Sequence, residues 1–433
     1  MANSNPYSNL EKFANMANDI ALRLYHQASL QQKSSGNIVL SPPALIIGLY
    51  QAYLASEHNP DAKKEFEQAI FKQPLSSVQE IIKEYSAVLK NGQSINTQQP
   101  ERHYDFTGGS RLFMSGKASG NSSKMDDALR KAGIAGVAQA SSKQLSNTTD
   151  ISQEISKLVC SPTLEEFPAS KLSSQLGNLQ HSGLLLSGAH FDADWEHMFV
   201  KKSKTSYEDR NRGPDVVELP ASLEDFHNAD GSVSQVVTVH LQGKIFLTRD
   251  ETMKATIFEL PMTQYEMSMV ILLPDASKND GEALSKLERT LKTDTLDIMR
   301  RNWQMPNARV YLPKFSFTGE YSMGKDLNNL GLKSIFSEKS DVNVTDCVHA
   351  ASIGVSVESG PALPPRQGQP GECSIMEVEE FAKGLHVNRP FLFIIRKRSP
   401  EIWCMMGRVM NLPNEEETRV WNHHRHQQAE QEY

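Results

Sequence analysis

From about Gly183 onward the chain is a succession of short apolar or alternating runs, GLLLSGAHF, VVTVHLQGKIFLT, TIFELP and YEMSMVILLP, each bounded by Pro, Asp or Gly. Segments of that length and period hide their apolar faces only by pairing side by side, so the second half of the molecule must build sheets. The helix-like DGEALSKLERTLKTDTLDIMRRN comes next, then the strand RVYLPKFSFTGEY, the short helix KDLNNLGLK and two closing strands, PFLFIIRKR and EIWCMMGRVMN, joined by a Ser-Pro turn. The first third reads as mostly helical. Near its start Leu10, Phe13, Met16, Ile20, Leu22 and Leu24 recur at near-helical spacing behind a Ser/Asn-rich lead-in suited to capping. A short strand at Asn37–Ser41 then gives way to Pro42-Pro43 and the apolar helix LIIGLYQAYLA, since proline is tolerated in a first helical turn. Helices first and strands later predict an α+β fold with large, mostly antiparallel sheets.

No Gly/Ser/Pro linker divides the 433 residues, so one domain is expected over 1–412, with a polar, disordered tail over 413–433. The tail carries His423, His424 and His426, but a cluster without fixed geometry does not make a metal site, and no metal or cofactor is expected. An apolar share of 39% with 22% charged residues suits a globule with a core of useful size. The formal charge of -7 argues against nucleic acid as a partner, and the basic runs Lys201–Lys204 and Arg396–Arg398 lack the interleaved aromatics of a binding patch. No uninterrupted apolar run is long enough to span a bilayer, and the N-terminus lacks a basic n-region and an apolar h-region. A cytoplasmic protein, or one secreted without a classical signal, is the expectation, with no membrane partner. The four cysteines, Cys160, Cys347, Cys373 and Cys404, have no pairing or metal-like spacing and read as free thiols. Asn121, Asn147 and Asn343 head glycosylation triplets that matter only on the secretory route.

One stretch is unlike the rest. In ASIGVSVESGPALPPRQGQPGECSIM, residues 351–376, Ile353, Val355 and Val357 alternate with Gly354, Ser356 and Glu358, the pattern of a strand with one buried face. Then Pro361, Pro364 and Pro365 arrive, and Gly360–Gly371 has no periodicity and favours an extended, solvated backbone. On composition alone the segment reads as a plain flexible surface loop.

Local signatures of catalysis are missing: there is no Gly-x-Ser-x-Gly elbow, His-Glu-x-x-His pair, Walker loop, Gly-x-Gly-x-x-Gly turn or Cys-x-x-Cys. The thirteen histidines form no local pattern, and no enzyme is expected. Several separated motifs instead stand in one order: Asn37-x-x-x-Ser41-Pro42 before an apolar helix, FDADWEHMF around Trp195, FELPMTQYEMSMVILLPD, VYLPKFSFTGEYSMGKDLNNLGLKSIFSEKSD and RPFLFIIRKRSPEIWCMMGRVMN. Together they resemble serpins over about residues 8–412, and the missing signal segment is most similar to the ovalbumin-like intracellular branch.

The resemblance implies three β-sheets with about nine helices in a metastable fold, and an exposed reactive-centre loop, here about residues 357–385. In inhibitory members a serine protease cleaves that loop and is trapped as an acyl-enzyme while the loop inserts into the central sheet. Ser41, Pro42, Ala44, Ser187, Trp195 and His349 fall at the shutter and breach positions that control sheet opening. Cys373-Ser374 is the implied scissile bond, with Glu372 as the competing specificity residue. No strongly basic residue stands there, so chymotrypsin-like, elastase-like or acid-specific proteases are the implied partners of a monomer.

The chain departs from the family pattern where the loop must insert. The family has a small-residue hinge, whereas here the hinge is Val357, Glu358, Ser359, Gly360, Pro361, Ala362, Leu363, Pro364 and Pro365. Proline donates no ladder hydrogen bond and is confined to strand edges and bulges, so three of them oppose insertion as a central strand. Ala44 and Ser187 also stand where the family usually has Ser and Asn, which should weaken the polar network beneath the sheet. A non-inhibitory binding, carrier, chaperone or storage role is the alternative to inhibition.

Overall fold

The two closing apolar runs pair with each other as their Ser-Pro junction predicts. In the computed structural model of the chain they are β14 (Phe391–Arg398) and β15 (Glu401–Val409), an antiparallel hairpin. The structure describes residues 6–32, 36–72, 78–79, 82–83, 86, 104–114, 122–134, 138–141, 148–159, 183–193, 216–262, 267–293, 303–337, 344–354, 384–398 and 401–414. Around the hairpin stand β1 (Ile38–Leu40), β9 (Met267–Pro274), β8 (Ala255–Pro261) and β7 (Phe246–Asp250), in the order β1-β15-β14-β9-β8-β7. Every residue of β9 is buried, which explains why MSMVILLP is continuously apolar rather than alternating: both faces of this sheet are covered. The charge it holds is paired, with buried Arg396 2.7 Å from Glu259 and 2.7 Å from Glu401.

A four-stranded sheet has the order β13-β10-β6-β5, comprising β13 (Gly384–His386), β10 (Asn307–Pro313), β6 (Val233–Lys244) and β5 (Val216–His227). A five-stranded sheet runs β11-β12-β4-β2-β3, with β11 (Phe317–Ser322), β12 (Asp346–Gly354), β4 (Gly183–Ala193), β2 (Tyr104–Met114) and β3 (Ala138–Ser141). Seven α-helices are found among the described residues: α1 (Pro6–Gln31), α2 (Pro42–Ala55), α3 (Pro60–Glu65), α4 (Ser122–Lys131), α5 (Thr148–Val159), α6 (Asp280–Thr290) and α7 (Gly324–Asn329). One apolar core cluster reaches from Met16 to Leu412. A buried ion pair ties three elements to it, since Arg408 of β15 lies 2.9 Å from Glu288 of α6, and Tyr25 of α1 donates its hydroxyl to the same carboxylate.

Three readings of the strand pattern need correction. RVYLPKFSFTGEY is two strands in different sheets, β10 and β11, because the chain turns at Pro313 and buries Phe315 against Phe391 and Phe393. VVTVHLQGKIFLT likewise divides at Ile245 into β6 and β7. The first third is less helical than expected, because β2 and β3 lie within it. In β2 the alternation is hidden by Gly108-Gly109, and Gly108 is required there: a Cβ would lie 2.6 Å from the Gly188 carbonyl oxygen of β4.

Candidate functional site

The five-stranded sheet has an unusual seam at its centre. All nine residues of β12 pair with β4, and they do so in parallel, from Asp346 opposite Leu184 to Gly354 opposite Asp192. On either side of this seam the ladders β11·β12 and β2·β4 are antiparallel. Parallel neighbours exit at the same end, so residues 355–383 leave beside the point where β4 ends and rejoin the body at β13. A segment that continued from β12 and turned back between the two strands would run antiparallel to both. It would exchange one slanted parallel ladder for two antiparallel ones, which are slightly more stable per residue.

Residues 346–353 are buried on both faces, because α5 covers one side of the sheet and the main core the other. Of the alternation expected over 353–358, Ile353 is buried and Gly354 half-buried, and residues 355–358 lie outside the described residues. Ile151, Ile155 and Leu158 of α5 join Leu184, Leu186, Val348 and Ala350 in a separate apolar cluster over the seam. Opening the seam must therefore displace or tilt α5.

Beneath the seam sits a polar cluster that the surrounding apolar residues isolate from water. His349 of β12 is opposite Ser187 of β4 on one side and Tyr321 of β11 on the other. Its Nε2 accepts the backbone N–H of Ser41 at 3.0 Å, and its Nδ1 lies 2.9 Å from Ser187 Oγ. An acceptor Nε2 leaves the proton on Nδ1, so the ring is the neutral tautomer that donates to Ser187 Oγ. The Ser187 hydroxyl in turn donates to the Val348 carbonyl at 3.3 Å. Burial disfavours the imidazolium and lowers the His349 pKa to about 3.

Two more strands are fastened at the same place. Tyr321 Oη accepts the Val39 N–H of β1 at 3.1 Å, and Gly319 allows this approach, since a Cβ there would lie 2.8 Å from the Val39 carbonyl oxygen. Ser41 precedes α2 but does not cap it with its side chain; its hydroxyl donates to the Cys404 carbonyl of β15 at 3.2 Å, while Pro42 opens the first turn. Ala44 is fully buried and brings no polar atom. Ser187 forms a polar bridge between β4 and β12. Ser187→Ala should strand the buried Nδ1–H of His349 and cost about 1–3 kcal/mol, read as a lower denaturant midpoint at unchanged slope.

Ser41, Pro42, Ala44, Ser187 and His349 are thus gathered at one place. The hinge residues Val357 to Pro365, the bond residues Glu372, Cys373 and Ser374, and Trp195 lie outside the described residues, as do Cys160, Asn121, Asn147, Asn343 and residues 415–433 of the tail, whereas Asn414 is held by the Gln235 N–H at 2.9 Å. Cys347 and Cys404 are buried free thiols, each with its pKa pushed up chiefly by burial.

A second serine–histidine pair has no signature in the sequence. On the four-stranded sheet Ser222 Oγ and Glu224 Oε1 each lie 2.9 Å from His240 Nε2. In a nucleophilic triad the serine and the carboxylate engage opposite ring nitrogens, so that one activates while the other orients. Here both meet the same nitrogen, and this arrangement cannot carry a proton relay. The Ser187–His349 pair fails differently, because Ser187 is fully buried. Among the described residues no group of three or more His, Cys, Asp or Glu is placed to hold a metal ion, and no helix is long and apolar enough to cross a membrane.

A family model described as Serpin (serine protease inhibitor) matches residues 15–211 and 218–412. Serpin B5 of Xenopus laevis is 27% identical over 52% of this chain, and the match spans 55% of that protein. The human leukocyte elastase inhibitor is 26% identical over 60% of this chain and 66% of its own length. The match to such relatives therefore reaches little more than half to two thirds of their lengths. Among solved structures, human thyroxine-binding globulin superposes with a TM-score of 0.66 at 18% identity, covering 94% of this chain and 100% of its own; that likeness is one of fold.

Proposed function

The chain belongs to the serpin family, and from that premise we propose that it offers residues 357–385 as a bait loop to a serine protease, which cleaves at Cys373-Ser374 and is only inefficiently trapped. Serpins are in general protease inhibitors and not enzymes themselves. The protease serine would attack the Cys373 carbonyl carbon, the peptide bond to Ser374 would break, and the amine of Ser374 would leave with a proton. Cys373 would then be held as an ester. The outcome then depends on a race between hydrolysis of that ester and insertion of the loop at the β4·β12 seam.

The observation that carries this reading is the parallel seam at the exit of β12, directly ahead of Pro361, Pro364 and Pro365. The seam offers a place for one antiparallel strand. The prolines make the loop a poor candidate for it, because each removes a donor from a ladder that would otherwise be paired on both sides. Slow insertion favours hydrolysis, and so a substrate over an inhibitor. Names such as leukocyte elastase inhibitor among the relatives support a protease as partner. We take the domain to be residues 1–412, acting as a monomer in the cytoplasm or outside the cell.

The same prolines favour a second reading, a non-inhibitory serpin that serves as a binding, carrier, chaperone or storage protein. Incubation with chymotrypsin-like, elastase-like and acid-specific serine proteases, followed by denaturing gels, separates the two. Inefficient trapping predicts mostly cleaved chain with a minor SDS-stable band of summed mass. No cleavage near Cys373 by any of them would leave only the second reading.

A further inference from the structure

We propose that Tyr311 and His386 are positioning residues that fasten the trailing end of the bait loop to the body of the molecule. The idea rests on the reading of 357–385 as that loop, and its chemistry lies wholly in the described four-stranded sheet. β13, which receives the chain directly after residue 383, has only three residues and sits at the sheet edge with β10 as its neighbour. Three pairs of a parallel ladder are little to hold a strand at the end of so long a connection.

The rings make up the difference. His386 lies flat on Tyr311, its pair in the ladder, with centroids 4.0 Å apart and planes 6° from parallel. Tyr311 meets His240 of β6 at 4.8 Å and 61°, and His240 is held by Glu224 and Ser222 of β5. One unbroken chain of contacts thus crosses all four strands and ends on β13. A glycine at 384 leaves the stack room, since a Cβ there would lie 3.1 Å from His386 Nε2, a tight contact.

The residues after β13 are secured separately. Val387 N–H donates to the Tyr311 carbonyl at 2.9 Å, and His227 N–H donates to the Asn388 carbonyl at 2.8 Å. Arg389 Nε donates to the Pro274 carbonyl at 2.9 Å. Among the described residues, 384–386 are therefore the part of this anchor whose hold depends on the stack and on burial of Leu385.

Hydrogen exchange on the intact, uncleaved full chain tests this without any protease, so its outcome does not depend on whether the loop is cut or inserts. In His386→Ala and in Tyr311→Ala, exchange across 384–386 should accelerate, by up to about tenfold, a size consistent with the loss of one stacked ring pair. The double variant should be no faster than Tyr311→Ala alone, because that change already removes the stack with His386. His386→Phe, which keeps a flat ring, should stay within about threefold of the parent. Exchange in β6 and β12 should not change in His386→Ala, which leaves the contact of Tyr311 with His240 in place. Unchanged exchange at 384–386 in His386→Ala would overturn the proposal. So would failure of His386→Phe to restore protection, or acceleration spread through β5 and β6 in His386→Ala, which would mark the stack as ordinary sheet packing.

Discussion

Replacing Pro361, Pro364 and Pro365 together by alanine should turn this chain from a substrate into a trap. The parent, cut near Cys373, is expected to show almost the same thermal midpoint as the intact protein if, as proposed, its prolines keep the hinge from the seam. Each proline removed restores one backbone donor facing a buried acceptor, worth about 1–3 kcal/mol, so the three together recover about 3–9 kcal/mol of insertion free energy. That is a large fraction of the net stability of a typical domain. The variant should form a dominant SDS-stable band with the cleaving protease, and its cleaved form should melt well above the intact one. Equal gels and equal melting shifts for parent and variant would show that the prolines do not set the outcome of the race. The seam would then have to be closed by something else, with the α5 cover the first suspect.

Acid should weaken the fold through one imidazole. His349 has its pKa lowered to about 3 by burial, against an ordinary value of 6.5. Between those two values the unfolded chain binds a proton that the native chain does not, so the contribution of this group is fully present above pH 6.5 and is lost as pH falls toward 3. The loss is about 1.4 kcal/mol per pH unit, or about 2 kcal/mol between pH 6.5 and 5 and up to about 5 kcal/mol by pH 3. Urea midpoints at about pH 7 and pH 5, for the parent and for His349→Gln, separate this group from other carboxylates and histidines. The parent should lose about 2 kcal/mol more than the variant over that interval. Equal losses would mean that the His349 site admits water or relaxes on protonation. Since a protonated Nε2 can no longer accept the Ser41 N–H, acid should also raise exchange at β4 and β12 before the whole molecule unfolds.

Much of this arrangement is legible in the sequence, and its omissions have physical causes. The closing hairpin, β4, β8 and the proline-led α2 are all readable because a local signal, an apolar run or a first-turn proline, coincides with the element. β2 is obscured because Gly108 and Gly109 break the alternation for the sake of close contact with β4, a tertiary demand invisible in a local window. The divisions between β10 and β11 and between β6 and β7 are missed for a related reason: adjacent runs are each strand-like, and only the sheet they join distinguishes them. At the site, His349 is recognisable by family position alone. That Ser187 bridges it to Val348, and that Ser41 serves it with a main-chain N–H while its hydroxyl goes to Cys404, depends on strands far apart in the chain. The ring stack of Tyr311 and His386 has no sequence signal at all, because parallel register between β10 and β13 creates it.

The pairing of β1 with β15 sets the order in which a ribosome can deliver a finished molecule. Gly36, at the approach to β1, accepts a hydrogen bond from Arg408, 372 positions later. At about 5–20 residues per second, synthesis separates the two by on the order of half a minute, and no folding route shortens that interval. Until β14 and β15 emerge, β9 has one unpaired edge and β1 lacks its partner, two open ladders rich in apolar side chains. A nascent chain stalled before Glu401 therefore carries nearly all of its sheets but cannot close the six-stranded one. Among the described strands β15 comes latest in the chain, and its arrival is what closes the six-stranded sheet.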